Sequence, residues 1–178
     1  MIIISSCRKV IPMLNSKILI ILTLLFSLMV LPGCGTDAVQ EDLLNYINNE
    51  VPKIASLEKK AIADYSAVSG ANFQDDDVMY ETLTQKVIPT YAQFIGELEK
   101  IRPSTPEVQE VHEQFIEAAT SQHSGFVMVV SALEKQDYTE IAKANKNLAE
   151  GRKLMREYHA AVKNLADSHG VTITMPSN

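Results

Sequence analysis

"DYTEIAKANKNLAEGRKLMREYHAAVKNLADSHG", residues 137–170, is the stretch that decides the fold. Within it Ile141, Ala144, Leu148, Gly151, Met155, Tyr158, Val162 and Leu165 follow one another at steps of three and four without a slip. That spacing keeps one face of a 3.6-residue helix apolar. Asp137 and Glu140 open the segment as an Asp-x-x-Glu variant of the capping box, and Gly170 with Val171 behind it closes it as a glycine C-cap. A helix from 137 to about 168 would be roughly 45 Å long at 1.5 Å per residue.

Working outward, three more segments carry the same signal. One opens with Thr105-Pro106-Glu107, a cap followed by proline and an acid, and its stripe is Val108, Val111, Phe115, Ala118, Gln122, Phe126, Val129 and Leu133. Another starts at Asp75-Asp76-Asp77, where a helix N-terminus favours negative charge, and runs through Tyr80, Leu83, Val87, Tyr91, Phe94, Leu98 and Ile101. The first is capped by Thr36 or Asp37, keeps Leu44, Ile47, Val51, Ile54, Ala61, Tyr65 and Val68 on one face, is interrupted at Pro52 and ends at Gly70. Connections near residues 70–75, 102–105 and 135–137 are too short for crossovers, so neighbours should run antiparallel. The expected fold is all-α, an up-down-up-down four-helix bundle over residues 41–170 with its first two helices kinked. A three-helix bundle with a broken, loosely packed first helix is the alternative. Residues 34–40 would be a tether and 171–178 a C-terminal tail. In this register Tyr65 and Tyr80 face each other and would stack beside Phe73 to close one end of the core.

The composition agrees. Of 178 residues, 46% are hydrophobic and 21% charged, with no tryptophan, which suits one helical domain with a real core. The net charge is −6, and the first 33 residues hold Arg8, Lys9 and Lys17 with no acid, so the remainder stands at −9. An acidic body without a basic stripe is a poor binder of nucleic acid.

Candidate chemistry is sparse. Helix pairing about residue 136 sets His112 opposite residue 160, so His112 and His159 flank the seam at one level near Glu113, Glu117 and Glu157. They are the one candidate metal pair, weighed against two ordinary surface histidines; no metal or cofactor is expected. A di-iron carboxylate site needs Glu-x-x-His, but Gln109, Thr120, Arg156 and Ala166 precede the four histidines by three. Asp75 to Asp77 lack the glycine and closing glutamate of a calcium loop. No phosphate loop or nucleophile elbow is present, so no enzyme is expected. Pro52, Pro89 and Gly151 fall near one height and would form either tolerated kinks or a waist that opens a ligand cleft near Tyr91, Phe94 and Met155.

The N-terminus explains one of the two cysteines. Basic residues precede an apolar run over 18–31, shorter than the ~20 residues a spanning helix needs and of the size of a secretory h-region. Leu31-Pro32-Gly33-Cys34 at its end resembles the lipobox of bacterial lipoproteins. The resemblance implies a signal peptide over residues 1–33, removed after Leu31, Pro32 and Gly33 are recognised by the signal peptidase, and a diacylglyceryl group with palmitate-type chains on Cys34. Two chains hold a membrane far better than one, at roughly 0.8 kcal/mol per buried CH₂. Translation starts at Met1 or at Met13, which opens a compact signal of its own. An ordinary buried cysteine and an uncleaved anchor are the competing readings. With Cys7 removed, no second thiol remains for a disulfide.

"VIPTYAQF" (87–94) and "LEKIRPSTPEV" (98–108) resemble small all-helical lipoproteins of Bacillus-like Firmicutes, a resemblance that carries over no site residue. Together these readings imply a lipid-anchored protein on the extracytoplasmic face of the cell membrane. Its expected work is non-enzymatic, offering a helical surface to an envelope protein or wall component. The alternative is a small-ligand or metal receptor built on the Pro52/Pro89/Gly151 waist or the His112/His159 pair.

Overall fold

The computed structural model describes residues 37–173, so Met13, the lipobox residues Leu31 to Gly33 and Cys34 lie outside the described residues. The described chain is all-helical, with no strand. Six α-helices form it: α1 (Ala38–Asn45), α2 (Val51–Ser66), α3 (Asp76–Thr82), α4 (Ile88–Leu98), α5 (Pro106–Lys135) and α6 (Tyr138–Ser168). They make four rods, because a widened π turn over Tyr46–Glu50 joins α1 to α2 and another over Leu83–Val87 joins α3 to α4.

Those two turns correct the expected interruption at Pro52 and explain the irregularity at Pro89. A proline inside a helix has no N–H to donate, and its ring collides with the carbonyl four residues back. Here the amides just before the prolines, Val51 and Ile88, bond carbonyls five residues back, on Tyr46 and Leu83. The extra residue in each turn makes room for the ring, and the rod continues. Both prolines lie on the exposed side.

The caps are largely those the sequence predicts. Asp37 accepts from the amides of Val39 (3.0 Å) and Gln40 (3.2 Å), and Asp75 from Val78 (2.8 Å). Residues 37–40, expected in the tether, are therefore the cap and first turn of α1. At α6 the capping box is only half made: Asp137 accepts from Thr139 N (2.9 Å), while Glu140 pairs with Lys143 (2.8 Å) instead of reaching back. Thr105 caps α5 by position, but its own N–H and hydroxyl both donate to Asp42 Oδ2 of α1, each at 2.8 Å. Ser104 N donates to the same oxygen at 2.9 Å, so a buried carboxylate on the first rod holds the turn that starts the third.

Residue pairings give the directions of the rods. Phe115, Gln122 and Gly125 on α5 meet Tyr158, Gly151 and Leu148 on α6, so these two run antiparallel. Tyr91 and Phe94 of α4 meet Phe126 and Phe115, antiparallel again. Tyr46 and Tyr65 of the first rod meet His112 and Phe126, so rods one and three are parallel. Leu43, Tyr46, Leu83, Tyr91, Phe94, Phe126 and Leu148 are all buried in one core. With Leu43 and Tyr46 fully inside it, the first rod is not the loosely packed element of the three-helix alternative.

Two boundary expectations shift. Tyr65 tilts against Phe126 at 4.9 Å, while the Tyr80 hydroxyl donates to Glu134 at 3.0 Å, so the expected Tyr65–Tyr80 stack is replaced by these separate partners. The start of the expected tail is packed as well: Gly170 takes φ 68°, Val171 N donates to Ala166 O at 2.8 Å, and Val171 and Ile173 join the core. Gln40 Nε2 donates to His169 O at 2.9 Å, and His169 Nδ1 lies 2.6 Å from Asp37 Oδ2, tying the first turn of α1 to the end of α6. Among the described residues, no helix is long and apolar enough to cross a membrane.

Candidate functional site

α6 packs along its length on α5, because small residues line that contact. A β-carbon on Gly151 would lie 2.9 Å from Gln122 N and 3.0 Å from its Cα, so the two backbones are as close as side chains allow. The first rod packs instead on α4. Between the first rod and α6 the facing residues are large, and a groove stays open there.

The groove has two sections that share one residue. In the first, about 580 Å³, Leu44, Ile47 and Val51 face His159 and Val162 over a floor of Phe115 and Tyr158, with Ile173 at the end. In the second, about 280 Å³, Ile62 and Tyr65 face Arg152 and Met155 over Tyr91 and Gln122. Glu58 lines both. Phe115 and Tyr158 stack at 4.3 Å and 9°, which makes the floor flat and rigid.

Glu58 is unusual among the acids of this protein. Glu50, Glu97, Glu140 and Glu150 each pair with a lysine three residues on, in water. Glu58 enters no ion pair among the described residues, and burial alone pushes its carboxyl up to about 7. Removing an unpaired carboxylate from water disfavours the charged form. Its charge is felt by the neighbouring rings. Burial first, then the Glu58 charge, pushes the Tyr91 hydroxyl well above the ordinary tyrosine range and so suppresses its ionisation, and burial takes Tyr158 up to about 12. The Tyr91 hydroxyl is buried with no partner among the described residues.

The predicted site residues are distributed differently from the expectation. His112 is buried, its Nδ1 3.2 Å from the Tyr46 hydroxyl and its Nε2 without a partner. Burial, then the charge of Arg102, holds it below the ordinary histidine range against the opposing pull of Glu113. His159 is exposed at the rim of the groove, its ring edge-on to Tyr158 at 5.3 Å and its ionisation lowered by partial burial. One histidine is thus locked inside and the other faces out. Among the described residues no three His, Cys, Asp or Glu side chains are placed to share a metal ion.

The waist is corrected too. Pro52 and Pro89 face outward and line neither section, and Gly151 closes the α5–α6 contact rather than opening one. Of the residues expected around a cleft, Tyr91 and Phe94 are both fully buried, and only Tyr91 and Met155 border the second section. Glu58 was missed. Its signal lies in the stripe of the first rod, which jumps seven residues from Ile54 to Ala61; the turn between them holds Glu58 where an apolar residue belongs.

Comparison with known proteins finds no family model, no curated protein and no solved structure that matches this chain.

Proposed function

We propose that the chain is an extracytoplasmic lipoprotein, anchored to the cell membrane through lipid on Cys34. Its body acts as a non-enzymatic binding module whose working surface is the groove between the first rod and α6. The body is an up-down-up-down four-helix bundle in this reading, supported by the antiparallel and parallel pairings of its rods. The observation that carries the binding role is the open seam itself. A concave, mainly apolar site of several hundred Å³ with a few polar groups, here Asn48, Glu58, His159 and Thr172, is the usual form of a ligand site. The anchor rests on Leu31-Pro32-Gly33-Cys34 at the end of an apolar run, three residues before the Asp37 cap.

Two measurements test the two halves. Intact mass of the protein from its native membrane is expected to show a chain beginning at Cys34 with added acyl mass, and Cys34→Ala is expected to lose it. An unacylated or uncleaved wild-type chain overturns the anchor. For the groove, 1-octanol titrated into residues 35–178 is expected to raise the melting temperature by mass action and to lose that effect in Ala55→Trp, which fills the first section. No shift, or a shift that Ala55→Trp leaves intact, overturns the groove as the binding surface.

A further inference from the structure

The Glu58 groove carries one inference further. Resting on the reading of this groove as the binding surface, we propose that it takes an aliphatic ammonium ion: the cationic nitrogen sits at the Glu58 carboxylate, and the hydrocarbon chain lies over Phe115 between Val51 and Val162.

Charge complementarity makes the choice. Glu58 sits where the two sections meet, the one acid lining either of them, with no cation paired to it among the described residues. A ligand with an anionic head would meet that carboxylate in an apolar wall. A metal ion would find one carboxylate and one imidazole, His159, and among the described residues no three ligating side chains are placed to share it. An ammonium with a chain meets a counter-charge, the Tyr158 ring and an apolar trough. From Glu58 to Ile47 the trough extends about 16 Å along the first rod at 1.5 Å per residue, enough for a medium-length chain.

The other ionisable groups around the carboxylate do not supply the missing cation. On α6, His159 is neutral at pH 7, since partial burial lowers its ionisation. Arg152, exposed on the same helix, lines the second section but enters no ion pair with Glu58. Tyr91 on α4, Tyr65 on α2 and Tyr158 on α6 are all held in the neutral form, burial being the first cause for each. An arriving ammonium stabilises the ionised carboxylate. The bound complex therefore holds fewer protons than the free protein, and binding near pH 7 expels one from part of the population.

The core residues all fall between 39 and 173, so residues 35–178 carry the whole core, and a cooperative melt verifies each variant before use. Octylammonium, 1-octanol and octanoate share one chain and differ in the head. By isothermal titration at pH 8, octylammonium is expected to bind about ten-fold more tightly than octanol, with octanoate weakest. Glu58→Gln should bring the amine and the alcohol to parity. Near pH 7, the amine's binding enthalpy should vary with the ionisation enthalpy of the buffer, as proton release requires, and this dependence should vanish in Glu58→Gln. Equal binding of octanol and octylammonium to the wild type overturns the ammonium site but leaves the groove as a binding surface. A preference for the amine that survives Glu58→Gln overturns it as well. Failure of all three probes overturns both readings.

Discussion

α6 has two long flanks in this protein, and they behave differently. Toward α5 it comes so close at Gly151 that a single added methyl would press on the backbone of Gln122. Toward the first rod it leaves a groove of several hundred Å³. Both flanks belong to one helix with one regular apolar repeat, so periodicity does not distinguish them. Side-chain size and charge do. Gly125, Gly151 and Ala144 let two backbones approach, whereas Glu58, Tyr65, Met155 and Tyr158 hold two rods apart. An open seam forgoes dispersion and hydrophobic stabilisation that a closed one would supply. It is retained here around an unpaired carboxyl, which is why the groove reads as a site.

The sharpest way to break this contrast is to place a leucine on each flank. Gly151→Leu is expected to destabilise by more than about 3 kcal/mol, because the obstacle is the Gln122 backbone and cannot rotate away. Ala55→Leu, which adds apolar bulk inside the groove, should stay within about 0.5 kcal/mol of the wild type. Denaturant titration of both measures the difference; similar costs would mean that the two flanks are equally packed.

A smaller effect tests what orients the first rod beside its groove. Asp42→Ala leaves the amides of Ser104 and Thr105 and the Thr105 hydroxyl without their acceptor, a loss of about 2–3 kcal/mol. Hydrogen exchange should then quicken in the first turn of α5 before it does at the Gly151 contact. Uniform acceleration along α5 and α6 would show that Asp42 does not act locally.

The smallest effect is a gain. Folded Glu58 keeps its proton up to about pH 7, whereas an unfolded glutamate loses it near 4.5. Between those values the folded state binds more protons, so this group's contribution to stability falls as pH rises and its penalty is complete above pH 7. Glu58→Gln is therefore expected to stabilise the protein by about 1–2 kcal/mol at pH 8, allowing for the water at the groove mouth, and to change little at pH 4. Urea melts at the two pH values decide it. A gain of equal size at both would place its origin outside Glu58 ionisation.

Much of this architecture is legible in the residues themselves. The unbroken repeat from Ile141 to Leu165 is realised as α6, and Asp37, Asp75 and Asp137 cap the helices they precede. The acidic run at 75–77 is a cap with two acids in the first turn behind it. Proline was harder to read. Val51-Pro52 and Ile88-Pro89 look like breaks, yet one extra residue in the preceding turn absorbs each ring, and nothing local announces that a helix will widen rather than stop. The polar interior was harder still. Asp42 and His112 lie beside the apolar stripes, and only the approach of another rod turns them inward, toward Thr105 and Tyr46.

The sequence by itself determined four amphipathic rods, their caps and their short connections, since each depends on chemistry within a few residues along the chain. Only the tertiary structure decided which flank of α6 closes and which stays open, and that Glu58 sits in the gap without a counter-ion among the described residues. The physical reason is that a helical repeat says which positions face inward, while the distance between two helices depends on the sum of side chains from both. That sum brings together residues such as Gly151 and Gln122, or Glu58 and Tyr158, that no local pattern relates.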